Sequence, residues 1–272
     1  MIGKAVCVGD NCIDHYLAPV NRRLVGGNAL NVAVCLRRSG VSASYVGFLG
    51  DDKDGELIFR RLRQDGVDVS AVRVLHGPTG ITEVCLGPGG DREFVREDMG
   101  VQEGAVLDEG QLAFIRGHDL IHTTILGGAI PLLGDLKRGK AQLSFDYGDR
   151  HTETLLAATL KHVDIAFFSA GPSRLEDVTA FVQKMHDEGP HLVVVTRGPS
   201  GSVASDGRGT IHCPAIEVEV VDTLGAGDAF IGGFLASYLR SRDLETCLSD
   251  ASRLAAATCT HHGAWRQGRR AR

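Results

Sequence analysis

The sequence predicts an α/β protein in which a mostly parallel sheet lies between two layers of helices, a three-layer α/β/α sandwich with a small β-sheet lid. Three observations carry this expectation. Short apolar runs of strand length alternate with amphipathic runs of helical period over nearly the whole chain, the pattern of repeated βα units. The run His191-Leu192-Val193-Val194-Val195-Thr196 is apolar almost throughout, as expected of a strand covered on both faces. The alternation breaks once, over about residues 72–97, where short strand-like runs are joined by Gly/Pro turns without a helix between the last two, which reads as a small antiparallel excursion.

Taken in order, residues 4–8 form a strand ending at Gly9-Asp10-Asn11, followed by Asp14 and a second extended stretch at residues 15–17. Polar groups beyond a strand's carboxyl end face the ligand crevice of an open sheet, although Asp10 and Asn11 equally suit an Asx turn. Gly26-Gly27-Asn28-Ala29-Leu30-Asn31 opens a helix with Asn28 as its cap, and Gly40 stops it. Asn31 sits one turn in, where Asn is unfavourable; glycines followed by an amide suit hydroxyl recognition. A strand is expected at residues 43–49 and an amphipathic helix at 55–62. Further strands are expected at 72–75, 81–86 and 92–95, with turns at Gly77-Pro78 and at Gly87-Pro88-Gly89-Gly90-Asp91. Then come helices at 107–115, 154–160 and 175–185, interleaved with strands at 120–122, 143–146, 164–169 and 191–196. A hairpin turns at Asp206-Gly207. Residues 215–221 alternate as a strand, residues 229–239 read as a helix, and residues 244–260 close the chain as another. No linker, repeat or low-complexity segment interrupts this, so residues 1–272 read as one domain, with lid strands from about 15–24 and 72–97.

Composition excludes several classes. Of the 272 residues 43% are hydrophobic and 23% charged, an ordinary globular balance. A net charge of -5 gives no bulk electrostatic case for nucleic acid. Arg266, Arg269, Arg270 and Arg272 form the one basic cluster, read as a frayed tail. No apolar run approaches the ~20 residues of a membrane span. The first eight residues are too short for a signal peptide. Seven cysteines without a C-x-x-C, and eleven histidines without H-E-x-x-H, argue against disulfide frameworks and zinc motifs and favour a reducing cytoplasm.

The chemistry concentrates in Asp222-Thr223-Leu224-Gly225-Ala226-Gly227-Asp228, which leads into the apolar helix at 229–239. A helix N-terminus offers unpaired N–H groups and positive dipole charge; glycines let an anion approach closely. That is a phosphate cradle, and the carboxylate of Asp228 beside it suits proton abstraction from an attacking hydroxyl. A Gly-rich turn with an acid in the first helical turn is the alternative that composition leaves open. The P-loop pattern G-x-x-x-x-G-K-[ST] is absent, and so is G-x-G-x-x-G after the first strand.

These residues resemble the PfkB/ribokinase family of carbohydrate kinases. Asp222-Thr223 with Gly225-Ala226-Gly227-Asp228 is similar to the family's C-terminal signature, Gly26 to Asn31 to its N-terminal one, and Thr196-Arg197-Gly198 with Gly201 to its nucleotide loop. The resemblance spans residues 3–265. Within the family, residues 9–14, residues 26–34 and His262-Gly263-Ala264-Trp265 look most like fructoselysine 6-kinases. The resemblance implies a ribokinase-like fold and ATP-dependent phosphoryl transfer, with Mg2+, to the primary hydroxyl of a sugar or sugar derivative, a fructosamine such as fructoselysine giving the 6-phosphate.

The resemblance also implies roles. Asp228 is the base, and the N–H groups of Gly225, Ala226 and Gly227 form the anion hole. Asp14, Gly26, Gly27 and Asn31 hold substrate hydroxyls, joined by Asp10 and the lid residue Arg92. Thr196, Gly198 and Gly201, with His262 and Gly263, hold ATP. Asp222 stands at a monovalent-cation site for an ion such as K+. The surplus acids Asp10 and Asp14 suit a cationic substrate, and the lid's open edge suits a homodimer. One motif departs from the family: where an Asn and, three residues on, a Glu are usual, the chain reads Ser169-Ala170-Gly171-Pro172-Ser173, with Glu176 the nearest substitute. No Mg2+ ligand is therefore named. A kinase of another sugar or nucleoside, and a non-catalytic sugar- or nucleotide-binding regulator, are the remaining alternatives.

Overall fold

A computed structural model describes residues 3–87 and 90–267. Three of the four arginines of the basic tail lie outside the described residues, as does the middle of the Gly87–Asp91 turn. Strands β1 (Lys4–Val8), β2 (Cys12–Tyr16) and β3 (Arg22–Gly26) precede helix α1 (Asn28–Arg38). Next come β4 (Ser42–Val46), β5 (Phe48–Gly50), α2 (Lys53–Gln64), β6 (Arg73–Leu75), β7 (Ile81–Leu86) and β8 (Arg92–Asp98). Then follow α3 (Glu109–Arg116), β9 (Leu120–Thr124), α4 (Leu133–Lys137), β10 (Gln142–Asp146), α5 (Glu153–Thr159), β11 (Ile165–Ser169), α6 (Leu175–Asp187) and β12 (Leu192–Thr196). The hairpin β13 (Ser202–Ser205) and β14 (Thr210–Cys213) leads to α7 (Ala226–Arg240) and α8 (Leu244–Thr258).

Eight strands form the central sheet in the order β14-β13-β12-β11-β10-β9-β1-β4. The six from β12 to β4 run parallel, and the last hairpin is antiparallel. Alternation along the strands feeds two cores. Ala5, Cys7, Ile165, Phe167, Leu192 and Val194 pack under α1, α2, α7 and α8. Val6, Val8, Ala166, Phe168, Val193 and Val195 face α3 to α6. α7 is buried from Asp228 to Tyr238 because α1 and α8 flank it, which explains why its sequence is apolar all round.

The strand order reverses between β1 and β9: β4 was added on one side of β1, and every later strand on the other. Such a switch point opens a crevice beyond the carboxyl ends of the strands. A separate four-stranded sheet, β3-β2-β7-β8, stands over it, as the lid expectation required.

Several local expectations change. The lid spans residues 12–26 and 81–98, and residues 73–75 are not part of it: β6 pairs in parallel with β5 beside the main sheet. The strand expected at 43–49 is cut at Gly47, where a Cβ would lie 2.3 Å from the Tyr45 hydroxyl and 2.7 Å from the Gly9 carbonyl. Residues 215–221 are irregular rather than a strand; they do not extend the sheet beyond its edge strand β14, and Ile216, Val218 and Val220 are left partly exposed. Helix α4, one turn long, is too short to leave a periodic signal.

Candidate active site

The crevice is a cavity of about 580 Å3 enclosed between the carboxyl ends of the sheet strands, the N-termini of α1 and α7, and the lid. Asp10, Asp14, Gly27, Asn31, Arg92, Thr196, Gly225, Gly227 and Asp228 all line it. The sequence separates these positions by more than two hundred residues; the switch point brings them to one place.

Asp228 lies in the first turn of α7 and is 8% exposed. The turn before it is built by Asp222, whose Oδ1 accepts from the Leu224 N–H at 2.9 Å, and by Gly225, the cap residue at φ 76°. That left-handed conformation suits glycine, and a Cβ there would strike Ala264 at 2.3 Å. The Ala226 N–H donates to the Thr223 carbonyl at 3.2 Å, so Ala226 is held within the turn and is not a free donor as expected. Gly227 differs: a Cβ built there meets nothing within 4 Å. Open space lies in front of it, on the cavity side.

Asn31 donates its side-chain amide to Asp228 Oδ2 at 2.7 Å, and its own Oδ1 has no protein partner. Burial pushes the Asp228 carboxyl well above the usual carboxylate range; the Asn31 hydrogen bond opposes this, and the charges of Asp146 and Asp10 add to it. Asp14, on β2, is likewise buried, and desolvation raises its pKa to about 7. Its Oδ1 accepts from the Cys12 thiol at 3.3 Å. Gly26 lies against Asp14 so closely that a Cβ would sit 2.0 Å from Oδ2, and this fixes why the position is glycine although Gly26 itself does not line the cavity.

Asp10 is placed differently from expectation. Its Oδ2 accepts from the Asn28 N–H at 2.7 Å and its Oδ1 from the Ala29 N–H at 3.2 Å. Asp10 thereby caps α1 from outside the helix, and Gly27, not Asn28, is the cap residue. Its carboxylate faces the helix dipole, so of the two acids near the end of β1 Asp14 is the less engaged. Asn11 is locked beside it by Gln102, which accepts from the Asn11 N–H at 2.9 Å and donates to its carbonyl at 2.7 Å. Gln102 had no signal in the sequence.

Asp146, at the carboxyl end of β10, also lines the cavity; burial raises its pKa to about 6. The sequence ran through it as a strand end, and its position beyond β10 was the missed cue. Arg92 reaches the cavity from β8. Its guanidinium lies 5.5 Å from the Phe94 ring centroid and lowers the proton affinity of both Asp14 and Asp228.

The expected nucleotide residues divide. Thr196 lines the cavity, whereas Gly198, Gly201, His262 and Gly263 lie outside its wall. Arg197, Gly198 and Gly201 form the tight turn from β12 to β13. Asp222 is fully buried, and each oxygen already accepts a hydrogen bond: Leu224 N–H on Oδ1, Tyr16 Oη–H at 2.5 Å and Gly263 N–H at 2.8 Å on Oδ2. These bonds tie the lid to the C-terminal loop. Glu176 pairs with Arg174 at 2.7 Å on the exposed start of α6 and does not line the cavity, so it does not replace the altered motif at Ser169. Among the described residues no group of three His, Cys, Asp or Glu is arranged to hold a metal ion.

Comparison with known proteins decides the family. The model of the pfkB family carbohydrate kinases matches residues 4–114 and 152–267. The chain belongs to the pfkB family of carbohydrate kinases. It is 35% identical over 270 residues to a fructosamine kinase of Bacillus subtilis, covering 97% of this chain and 94% of the relative. It is also 35% identical over 258 residues to a fructoselysine 6-kinase of Escherichia coli, covering 95% and 98%. Among solved structures, the ribokinase of Arabidopsis thaliana complexed with ribose and ATP superposes with a TM-score of 0.84 at 23% identity, covering 97% and 95% of the two chains. The fold is ribokinase-like. As a pfkB-family carbohydrate kinase the protein transfers phosphate from ATP to a sugar. Among the described residues no helix is long and apolar enough to cross a membrane.

Proposed function

We propose that this pfkB kinase phosphorylates the 6-hydroxyl of a fructosamine such as fructoselysine, with Asp228 as base. The observation that carries the reading is the placement of Asp228 at the N-terminus of α7, open to the same cavity as Asp14 and held by Asn31. Asp14, with an oxygen to spare, and Asn31, with an unpartnered Oδ1, accept substrate hydroxyls and orient the sugar, and orientation supplies much of the rate. The carboxylate of Asp228 takes the hydroxyl proton, the oxygen bonds to the γ-phosphorus, and the bond from that phosphorus to the β–γ bridging oxygen breaks, leaving ADP. The N–H groups at Gly225 and Gly227 face the moving phosphoryl, where donors weigh most because water is excluded. Thr196 and the turn to Gly201 border the ATP side. Mg2+ held by the ATP phosphates and water would neutralise phosphate charge; no side chain is assigned to it.

The fructosamine reading draws on the identity to the two relatives and on the cavity's charge. Asp14, Asp146 and Asp149 face a substrate that carries a secondary ammonium, which such a wall attracts. The lid edge β8, exposed at every residue and bearing Phe94 and Val95, supports a homodimer in which a second copy covers that edge.

A panel of fructoselysine, fructose, ribose and nucleosides with ATP and Mg2+ tests the proposal, the product being located by phosphorus–proton NMR. Fructoselysine should lead in kcat/KM and carry its phosphate on O6. Fructose or ribose phosphorylated as efficiently would sink the fructosamine assignment and leave a kinase of another sugar.

A further inference from the structure

Away from Asp228, the mouth of the cavity carries an ion pair between two different parts of the molecule. Arg150, in the loop after β10, places a guanidinium nitrogen 3.1 Å from Glu97 Oε2 on lid strand β8. The same guanidinium lies 5.8 Å from the centroid of the Phe94 ring. Arg150, Glu97 and Phe94 all line the cavity that holds Asp14 and Asp228. Neither charge is buried: the side chains are 49% and 41% exposed. An exposed pair of this kind contributes little stability by itself, so a ligand with matching charges can exchange with it at small cost. Phe94 beside it is a flat apolar wall suited to a hydrocarbon chain.

From this geometry we infer that Arg150 and Glu97 form a tail subsite that recognises the zwitterionic α-amino acid end of a glycated amino acid, the carboxylate on Arg150 and the α-ammonium on Glu97. The inference rests on the fructosamine reading. A guanidinium takes a carboxylate in a two-pronged fork. The α-ammonium of the same ligand then replaces Arg150 as the partner of Glu97. The charge count at the mouth is the same before and after, so neither group is stranded. The aliphatic spacer lies along Phe94, and the sugar reaches inward to Asp14. The subsite spans body and lid, so a tail bound there also holds the lid down.

The test compares four fructosamines made from lysine, 6-aminohexanoate, cadaverine and propylamine, which keep the sugar and the secondary ammonium but vary the tail. The preference, the ratio of kcat/KM for each tail to that for the propylamine compound, is the readout, and it is internal to each preparation, so a loss of folded protein does not enter. Arg150→Gln should lower the preference for the lysine and 6-aminohexanoate compounds about tenfold, the weight of one charge-assisted hydrogen bond, and spare the preference for cadaverine. Glu97→Gln should do the converse, lowering the preference for the lysine and cadaverine compounds. Losses shared equally by all four compounds would mean that the pair only latches the lid, and would overturn the inference. Equal efficiency on all four by the unaltered enzyme would also overturn it while leaving the fructosamine reading intact. Failure to phosphorylate any of the four, with fructose or ribose accepted, would overturn both.

Discussion

Asn31 and Asp228, 197 residues apart, are joined by a 2.7 Å hydrogen bond from the Asn31 amide to Asp228 Oδ2. The bond explains an Asn one turn inside α1, where propensity disfavours it. It also opposes the upward push that burial gives the Asp228 carboxyl. The two signature segments of the chain therefore meet on one proton-accepting atom.

Asp228→Asn removes the acceptor and keeps the shape. General-base catalysis contributes roughly 10²–10⁴-fold, so turnover should fall by at least about a hundredfold while ATP and sugar still bind by calorimetry. Unchanged turnover would refute the base. Asn31→Leu should show a partial version of the same loss, together with a rise in the apparent pKa of the acid limb, because burial of Asp228 is then uncompensated.

Asp14 sets a pH dependence of definite sign. Burial pushes its pKa up to about 7, and the ionised form is the stronger acceptor for hydroxyl donors. Sugar binding should weaken as pH falls through about 7, and kcat/KM should fall with it; the acid limb reports the coupled pair Asp14 and Asp228 rather than either alone. Stability moves the other way. A carboxyl whose pKa is raised on folding binds its proton more tightly in the native state, so stability declines as pH rises from about 4 to 7. Asp14→Asn should accordingly raise the melting temperature at pH 8, with the gain gone at pH 4, while KM for the sugar climbs steeply. A melting temperature that responds equally at both pH values would refute the burial argument.

The parts of this protein that were legible in the sequence share one property: their signal is local. Strand-length apolar runs such as Leu192–Thr196, and glycines bunched at a helix start as before α7, announce themselves over a few residues. What stayed hidden depends on partners far along the chain. Asp10 could be read as a ligand group or as a cap; it lines the cavity and caps α1, and that second contact depends on where the α1 N-terminus stands, a fact of sheet topology. Residues 215–221 have the period of a strand but add to neither edge of the central sheet, which ends at β14 and β4. Gln102 brackets the Asn11 backbone from a single 3-10 turn, residues 100–102, too short to show a period. The bonds Asp222 makes were equally hidden, because the Tyr16 and Gly263 donors come from the lid and the C-terminal loop.

Those two donors make Asp222 a test of lid anchoring. Tyr16 and Asp222 are both fully buried, and the Tyr16 hydroxyl bonds Asp222 Oδ2 directly. Tyr16→Phe leaves the ring packed against His262, 5.8 Å away, and deletes only the donor. The loss of one buried hydrogen bond to a charged acceptor should cost about 1.5–3 kcal/mol, measured by urea unfolding. Proteolysis of the lid strands should quicken in the same variant, and a variant as stable as the parent would mean that Leu224 and Gly263 suffice to hold Asp222.

Gly227 offers the cleanest separation of function from fold. It lies in the first turn of α7, its φ is not in the left-handed region, and a Cβ would meet no protein atom within 4 Å. Alanine is favoured over glycine within a helix by about 0.5–1 kcal/mol, so Gly227→Ala should fold at least as stably as the parent. The added methyl group projects into the space that the γ-phosphoryl needs, so turnover should drop tenfold or more, with the loss in kcat rather than in sugar affinity. The contrast is Gly225→Ala, where φ is 76° and the Cβ would strike Ala264; that variant should lose stability and activity together. If Gly227→Ala retained full activity, the phosphoryl group would have to pass elsewhere, and the assignment of the α7 N-terminus as the anion hole would fall.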